Sequence, residues 1–284
     1  MKEILIEVKN LTKTFTNGRK STRAIDDISF VLYRGETLGV VGESGCGKTT
    51  LGRCLVRLES IDGGTIDNKA SGSQIIFQDP YNSVDPYWTI ERIVAEGLKD
   101  REDAVQLLEK VGLSRQDKDS YPHELSGGQL QRVGIARALS ADPDFIVCDE
   151  PVSALDVSYQ SKIISLLEDL QQEEGLTYLF ISHDLAVVRH IADRIMIMYG
   201  GQMMEMGNTD EIINQPLHPY TRFLLSAVPA PFEKKKEFRV LDDDIRSEGC
   251  PFAPRCPFRK DICLKERCQK KDMGNGHVIY CHNT

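Results

Sequence analysis

The sequence predicts an α/β fold, a mainly parallel sheet covered by helices, with an inserted helical subdomain and a small cysteine-rich C-terminal extension. Three observations predict it. Short apolar runs at 37–41, 145–148 and 177–181 alternate with stretches of helical period such as 158–174, the order in which parallel strands are joined through covering helices. The stretch 88–140 has helical period throughout and lacks a strand candidate. Five of the eight cysteines, Cys250, Cys256, Cys263, Cys268 and Cys281, crowd into the last 35 residues. At 284 residues the chain holds one large domain plus an appendage, which divides as 1–228 and 229–284.

Each element has its own signal. Ile4, Ile6 and Val8 alternate with polar neighbours, as do Ile28, Phe30 and Leu32, so both stretches read as half-exposed strands around the turn Asn17-Gly18. After the apolar strand 37–41, Leu51, Cys54, Leu55 and Leu58 recur at helical spacing and predict a helix over 48–58. Asp62-Gly63-Gly64 reads as a turn before a short strand that ends at Ile75-Ile76-Phe77. Pro80 and Pro86 punctuate a loop over 78–88 that carries the single tryptophan. Helices follow at 89–97 and 102–111, with Ile93, Val94, Val105 and Leu108 as core faces, and at 126–140. The helix 158–174 buries Ile163, Ile164, Leu167 and Leu170, and the helix 185–192 follows strand 177–181. Residues 194–206 form a hairpin turned by Gly200-Gly201. Pro229 and Pro231, then Glu233-Lys234-Lys235-Lys236, mark a linker, and the chain has no internal repeat.

Bulk properties exclude several roles. A formal charge of −8 argues against a general nucleic-acid grip, which needs a basic surface. No apolar run approaches the roughly 18 residues that span a bilayer. Glu3 and Glu7 interrupt the first ten residues, which cannot serve as a signal-peptide core. The expectation is a cytosolic protein whose membrane contact runs through another subunit. Disulfides are then an improbable use of the cysteines.

The chemistry centres on Gly42-Glu43-Ser44-Gly45-Cys46-Gly47-Lys48-Thr49, a complete G-x-x-x-x-G-K-[ST] loop between a strand and a helix. Its glycines let backbone N–H groups turn inward as an anion nest at a helix N-terminus. Lys48 then reaches the β- and γ-phosphates, and the Thr49 hydroxyl ligates Mg²⁺, with Thr50 beside it. The motif predicts a P-loop NTPase that binds a nucleoside triphosphate. Asp149-Glu150 follows an apolar strand, at the edge where open α/β sheets gather ligands. Asp149 can hold Mg²⁺ through water while Glu150 orients and deprotonates the attacking water. Ser126 with Gln129 is a helix capping box, which occurs for structural reasons alone. Gly127-Gly128 in the first turn weakens a helix by about 1 kcal/mol per residue, which makes sense if bare backbone must approach a phosphate. Gln78 and His183 are polar residues at strand ends, unremarkable alone.

Taken in order, the phosphate loop, Gln78, Leu125–Gln129, Asp149-Glu150, Ser153-Ala154-Leu155-Asp156 and His183 resemble the motifs of an ABC-transporter ATPase subunit, over residues 3 to 228. The resemblance implies a RecA-like mixed sheet flanked by helices, with a helical subdomain near 88–140. It makes Gln78 the glutamine that senses Mg²⁺ and the attacking water, and His183 the switch histidine on the γ-phosphate. Phe15 stands where an adenine-stacking aromatic is expected, although tyrosine is commoner there, and Arg23 helps cover the nucleotide. It also implies that two such subunits close head to tail, with Ser126, Gly127, Gly128 and Gln129 of one capping the triphosphate of the other and Asp156 signalling across the interface.

More specific stretches resemble the oligopeptide and dipeptide importers. These are Phe77-Gln78-Asp79-Pro80-Tyr81 with Asp85-Pro86, His218-Pro219-Tyr220-Thr221-Arg222 leading to Leu224–Pro229, and Gly249-Cys250-Pro251-Phe252-Ala253-Pro254-Arg255-Cys256-Pro257. Nickel and metal-chelate importers share much of this, and a soluble non-transport ABC ATPase is the reading furthest off, since the chain has neither tandem cassettes nor a long coiled coil. The segments before Gln78 and before Tyr121 are shorter than the family usually shows, so no permease-docking residues are carried over. The implied partners are a sister or identical ATPase, two transmembrane permeases and, indirectly, an extracellular substrate-binding protein. The cysteine spacing fits neither a zinc knuckle nor a ferredoxin run. The resemblance matches Cys250, Cys256, Cys263 and Cys281 to a [4Fe–4S] cluster, with Cys268 extra, and zinc or free thiols are the alternatives.

Overall fold

Apolar alternation in the first thirty-three residues folds into a long antiparallel pair, β1 (Ile4–Asn17) and β2 (Lys20–Tyr33). The computed structural model describes residues 2–18, 20–98, 102–227 and 247–284. The chain then enters β3 (Thr37–Val41), turns through the glycine loop into α1 (Lys48–Leu55), and returns as β4 (Gly63–Asn68) against the free side of β1. Strict alternation fails in β1, where Leu5 and Ile6 are both buried, because register shifts interrupt its pairing with β2. Two other expectations change. Helix α1 stops at Leu55, leaving Leu58 57% exposed, and Gly63-Gly64 opens strand β4 instead of forming a turn.

The main sheet has the order Lys271–Asp272 (β10), Val278–Ile279 (β11), Gln202–Asn208 (β9), Arg194–Tyr199 (β8), β3, Thr177–Ser182 (β7), Phe145–Asp149 (β6) and Ser73–Ile76 (β5). Its parallel centre comprises β5, β6, β7 and β8 with β3, and β9 folds back antiparallel. Strands β3, β6 and β7 are buried along their whole length, as expected for parallel strands covered on both faces. Period 2 divides their side chains. Val147, Leu179 and Ile181 pack toward α1 and the small antiparallel sheet, while Ile146, Cys148, Tyr178 and Phe180 pack toward the helices on the other face.

Those helices include α2 (Ile90–Val94), which passes into a short 3-10 turn, α3 (Glu102–Lys110) and α4 (Gly127–Leu139) between β5 and β6. After β6 come α5 (Val157–Glu174) and α6 (Leu185–Ile191), with Ile163, Leu167 and Val188 in the shared core. Beyond β9 lie α7 (Thr209–Asn214) and α8 (Pro219–Ala227). The expected linker at 229–236 falls outside the described residues. The tail contributes α9 (Asp261–Lys265), β10 (Lys271–Asp272) and β11 (Val278–Ile279), and β11 pairs with β9, so the tail is stitched to the sheet edge. Glu205 on β9, fully buried, accepts from the N–H groups of Leu217 and His218 and from Thr221 Oγ1, and bonds His277 Nε2 at 2.8 Å. One satisfied carboxylate thus ties both α8 and the tail to the sheet. Among the described residues no helix is long and apolar enough to cross a membrane.

Candidate nucleotide site

The phosphate loop leaves the carboxyl end of β3 and is shaped by contacts that only glycine permits. A Cβ on Gly42 would meet the Met198 carbonyl oxygen at 2.2 Å, and one on Gly47, at φ +104°, would meet that of Ala24 at 2.1 Å. Lys48 is buried, and its Nζ donates to the carbonyls of Gly42 at 2.8 Å and Glu43 at 3.1 Å, so the ammonium is folded over the loop it belongs to. Cys46, 5% exposed, packs beneath, and burial pushes its thiol up. A cavity of about 560 Å³ opens here, lined by Ser44, Gly45, Gly47, Lys48, Thr49 and Thr50 from the loop. Phe15 and Ala24 form one wall, and Gln78, Glu150 and His183 another. Phe15 is 43% exposed at the rim, with Lys13 Nζ 5.1 Å from its ring centroid. Arg23 pairs with Asp26 at 2.9 Å and does not line the cavity.

The end of β6 brings both carboxylates in. Asp149, the last residue of β6, is 3% exposed and accepts from Thr49 Oγ1 at 2.9 Å. Burial pushes its carboxyl up, while the Thr49 bond and the nearby Arg53 and Lys48 pull it back. A buried carboxylate facing a hydroxyl of this loop suits a hard divalent cation, which prefers oxygen ligands. Glu150 follows at φ +47°, in the left-handed region, with its N–H donating to Ile181 on β7. That turn aims its side chain at the cavity. Its Oε2 accepts from Gln78 Nε2 at 3.1 Å and lies 3.1 Å from His183 Nδ1. Residues 78, 150 and 183, from just past the ends of β5, β6 and β7, thus meet at one carboxylate oxygen.

Ser126, Gly127, Gly128 and Gln129 do not line this cavity. Ser126 caps α4, accepting from the Gln129 N–H at 3.3 Å, while Gln129 Oε1 accepts from the Ser126 N–H at 3.1 Å and its hydroxyl at 2.9 Å. The two glycines have different surroundings. A Cβ on Gly128 would meet the Tyr159 ring at 2.5 Å, whereas Gly127 has nothing nearer than Leu155 at 3.8 Å. Packing of α4 against α5 therefore explains Gly128, and only Gly127 offers open backbone. Gly127 lines an adjoining cavity of about 630 Å³ that also touches Gln78, Glu150 and His183. Asp156 caps α5, accepting from the Tyr159 N–H at 3.0 Å.

In the tail, Cys250, Cys256, Cys263 and Cys281 are buried and Cys268 partly so. Burial pushes the Cys256 thiol up to about 11, with Cys250, Cys281 and Cys263 close enough to add to it. A hydrogen bond to Cys268 and burial push Cys250 up, and the same bond holds Cys268 low, so the thiol the resemblance leaves out belongs to the pocket. Among the described residues no group of three or more His, Cys, Asp or Glu side chains is placed to hold a metal ion. That placement supports neither the [4Fe–4S] cluster nor structural zinc.

A nucleotide cradle on a RecA-like sheet, with a glutamine, a glutamate and a histidine on one rim, defines an ATP-hydrolysing cassette. The solved dimer of the ATP-binding cassette MJ0796 in a post-hydrolysis state with ADP and Pi superposes with a TM-score of 0.64 at 27% identity, covering 72% of this chain and 98% of that one. The ABC transporter family model matches residues 25–153, and the model for the oligopeptide/dipeptide transporter C-terminal region matches 204–263. The oligopeptide transport ATP-binding protein OppF of Bacillus subtilis (strain 168) is 49% identical, over 99% of this chain and 97% of its own. Its namesake in Escherichia coli (strain K12) is 44% identical over 93% and 89%. The chain belongs to the ABC-transporter ATPase family, in its oligopeptide and dipeptide branch.

Sequence reasoning missed the residues that support the loop from behind. Met198 and Ala24 carry no polar side chain, and their carbonyls matter through the fold alone. Tyr220 and Arg255 served only as marks of the branch, yet both bond Glu43 of the loop.

Proposed function

We propose that the chain is the ATP-hydrolysing subunit of a peptide importer, docked on the cytoplasmic face of two permease subunits beside a second cassette. The observation that carries this reading is Glu150, held by Gln78 and His183 on the rim of the cavity that contains Lys48 and Thr49. Glu150 takes the proton of the attacking water, Gln78 orients that water, and His183 contacts the γ-phosphate. Lys48 and the backbone of 44–50 hold the triphosphate, and Phe15 stacks on the base. Thr49, Asp149 and Gln78 would hold Mg²⁺, which would supply positive charge to neutralise the triphosphate.

Ser126 and Gly127, with Gln129 as their helix-capping partner, present an N-terminal helix turn to the triphosphate of a neighbouring cassette. Asp156 lies at the same edge. ATP then closes the pair because it binds the closed state better than ADP does, and that difference moves the permeases. The names of the relatives support oligopeptides as the cargo, selected by an extracellular binding protein. For the tail, a [4Fe–4S] cluster on Cys250, Cys256, Cys263 and Cys281 is a proposal from family resemblance alone. Iron, sulfide and zinc analysis after anaerobic purification tests it, and a preparation free of iron and sulfide would refute it.

The transport reading is tested by deleting the gene and measuring uptake of labelled tri- to pentapeptides. Loss of uptake restored by the intact chain but not by Lys48→Ala supports it. Undiminished uptake in the deletion, or rescue by Lys48→Ala, contradicts it.

A further inference from the structure

We propose that Arg255, contributed by the cysteine tail, is a positioning residue for the phosphate loop and acts on it through Glu43. Arg255 Nη1 lies 2.9 Å from each carboxylate oxygen of Glu43 and 3.2 Å from Tyr199 Oη. Its guanidinium carbon sits 5.3 Å from the ring centroid of Phe223, 5.7 Å from Tyr199 and 5.8 Å from Phe252. Aromatic faces from β8, α8 and the tail thus hold the planar cation where it meets the loop.

Glu43 occupies a variable position of the motif and does not line the nucleotide cavity, so its side chain acts on the loop and not on the ligand. Its other polar atoms are also engaged. The N–H donates to Tyr220 Oη at 3.1 Å, and the carbonyl accepts from Lys48 Nζ at 3.1 Å and from the Cys46 N–H at 3.3 Å. One residue therefore joins the tail to the lysine that meets the phosphates. A second tether runs in parallel. Arg267 pairs with buried Asp26, which also accepts from Gln202 Nε2 at 2.8 Å and lies two residues beyond Ala24, whose carbonyl backs Gly47. Without Arg255 the loop loses its outer support, and an uncompensated carboxylate is left close to the binding site of a polyanion.

This inference rests on the proposed nucleotide site, and the test separates the two. MgATP affinity is measured on the full-length chain by displacement of a fluorescent ATP analogue, at a temperature where every variant is folded by circular dichroism. Lys48→Ala checks the site itself, and retained binding would sink that reading. If Lys48→Ala abolishes binding, Arg255→Ala should weaken MgATP by about 3–5-fold, the upper end for loss of one partly exposed charge pair. Glu43→Gln should weaken it by about 2–3-fold, and the double variant should be no worse than Arg255→Ala alone. Arg255→Lys should restore only part of the affinity, since an ammonium lacks the planar fork. A purely structural role would lower thermal stability with affinity unchanged. Wild-type affinity in Arg255→Ala, or fully additive losses, would overturn the proposal. Should Arg255→Ala not fold, wild-type affinity in Glu43→Gln would overturn it as well.

Discussion

Glu150 occupies a backbone conformation that a non-glycine residue adopts rarely, at φ +47°. Strain at that position is retained because the turn places the carboxylate against Gln78 and His183. Replacing it with glutamine keeps the shape and removes the carboxylate proposed as the base. Hydrolysis should fall by about 10²–10⁴-fold with ATP affinity within threefold of wild type, measured by phosphate release and nucleotide displacement. Its neighbour Asp149 behaves oppositely to a stabilising carboxylate. Its folded pKa is raised by burial above the unfolded value, so the native state binds the proton more tightly and ionisation works against folding. That penalty is absent at low pH and grows as pH rises through the carboxylate range. Asp149→Asn should therefore raise the Tm of the nucleotide-free chain at pH 7, while abolishing any added stabilisation by Mg²⁺ with ATP. An unchanged or lowered Tm in the absence of nucleotide would contradict this. The side chains that meet in the cavity were legible in the sequence because each belongs to a spaced motif. Arg255 was not, since nothing in linear spacing tells that residue 255 lies against residue 43.

At the scale of elements, the pair Gly127-Gly128 separates packing from function. Gly128 lets α4 lie against Tyr159 of α5, and a methyl there must displace an aromatic ring. Gly128→Ala should destabilise the fold by about 1–3 kcal/mol, seen as a lower urea midpoint. Gly127→Ala meets open space and should leave that midpoint within about 0.5 kcal/mol or raise it, while slowing turnover of the assembled transporter. Equal effects of both changes on stability would contradict this division. Helix α4 was legible from its capping box, Ser126 with Gln129, and α5 from its apolar face, while the cap at Asp156 came to light only in the structure. Strand β4 was not. Gly63-Gly64 reads locally as a turn, and it forms strand because β1 offers an edge from Thr12, which pairs with Gly63, down to Ile6. The early end of α1 has a similar origin, since Arg57 at φ +60° leaves the helix before the periodic Leu58.

For the whole molecule, the tail is bound to the nucleotide-binding body through sheet pairing, through the Glu205 cluster and through two arginines. Burial raises the Asp26 carboxyl, but the bonds from Arg267 and Gln202 and the charges of Arg267 and Arg23 outweigh it, so its folded pKa lies below the ordinary range. Stabilisation from a depressed carboxylate is present above the unfolded value, roughly 3.9, and is lost as pH falls through the folded one. Arg267→Met should therefore flatten the acid limb of a stability–pH curve below about pH 4 and lower stability at neutral pH; an unchanged acid limb would contradict the tether. The parallel centre and its helices followed from sequence because alternation of apolar strands and amphipathic helices is a local pattern. The extension of the sheet by β11 was hidden because its two residues, Val278 and Ile279, carry too little pattern to read.

A structure of the Glu150→Gln protein with MgATP, in complex with its partner cassette, tests most directly whether a triphosphate is shared between two cassettes. The Gly127 N–H of this chain should lie about 3 Å from a γ-phosphate oxygen held by the neighbour's phosphate loop. Residues 126–129 turned away from every neighbouring nucleotide would contradict it.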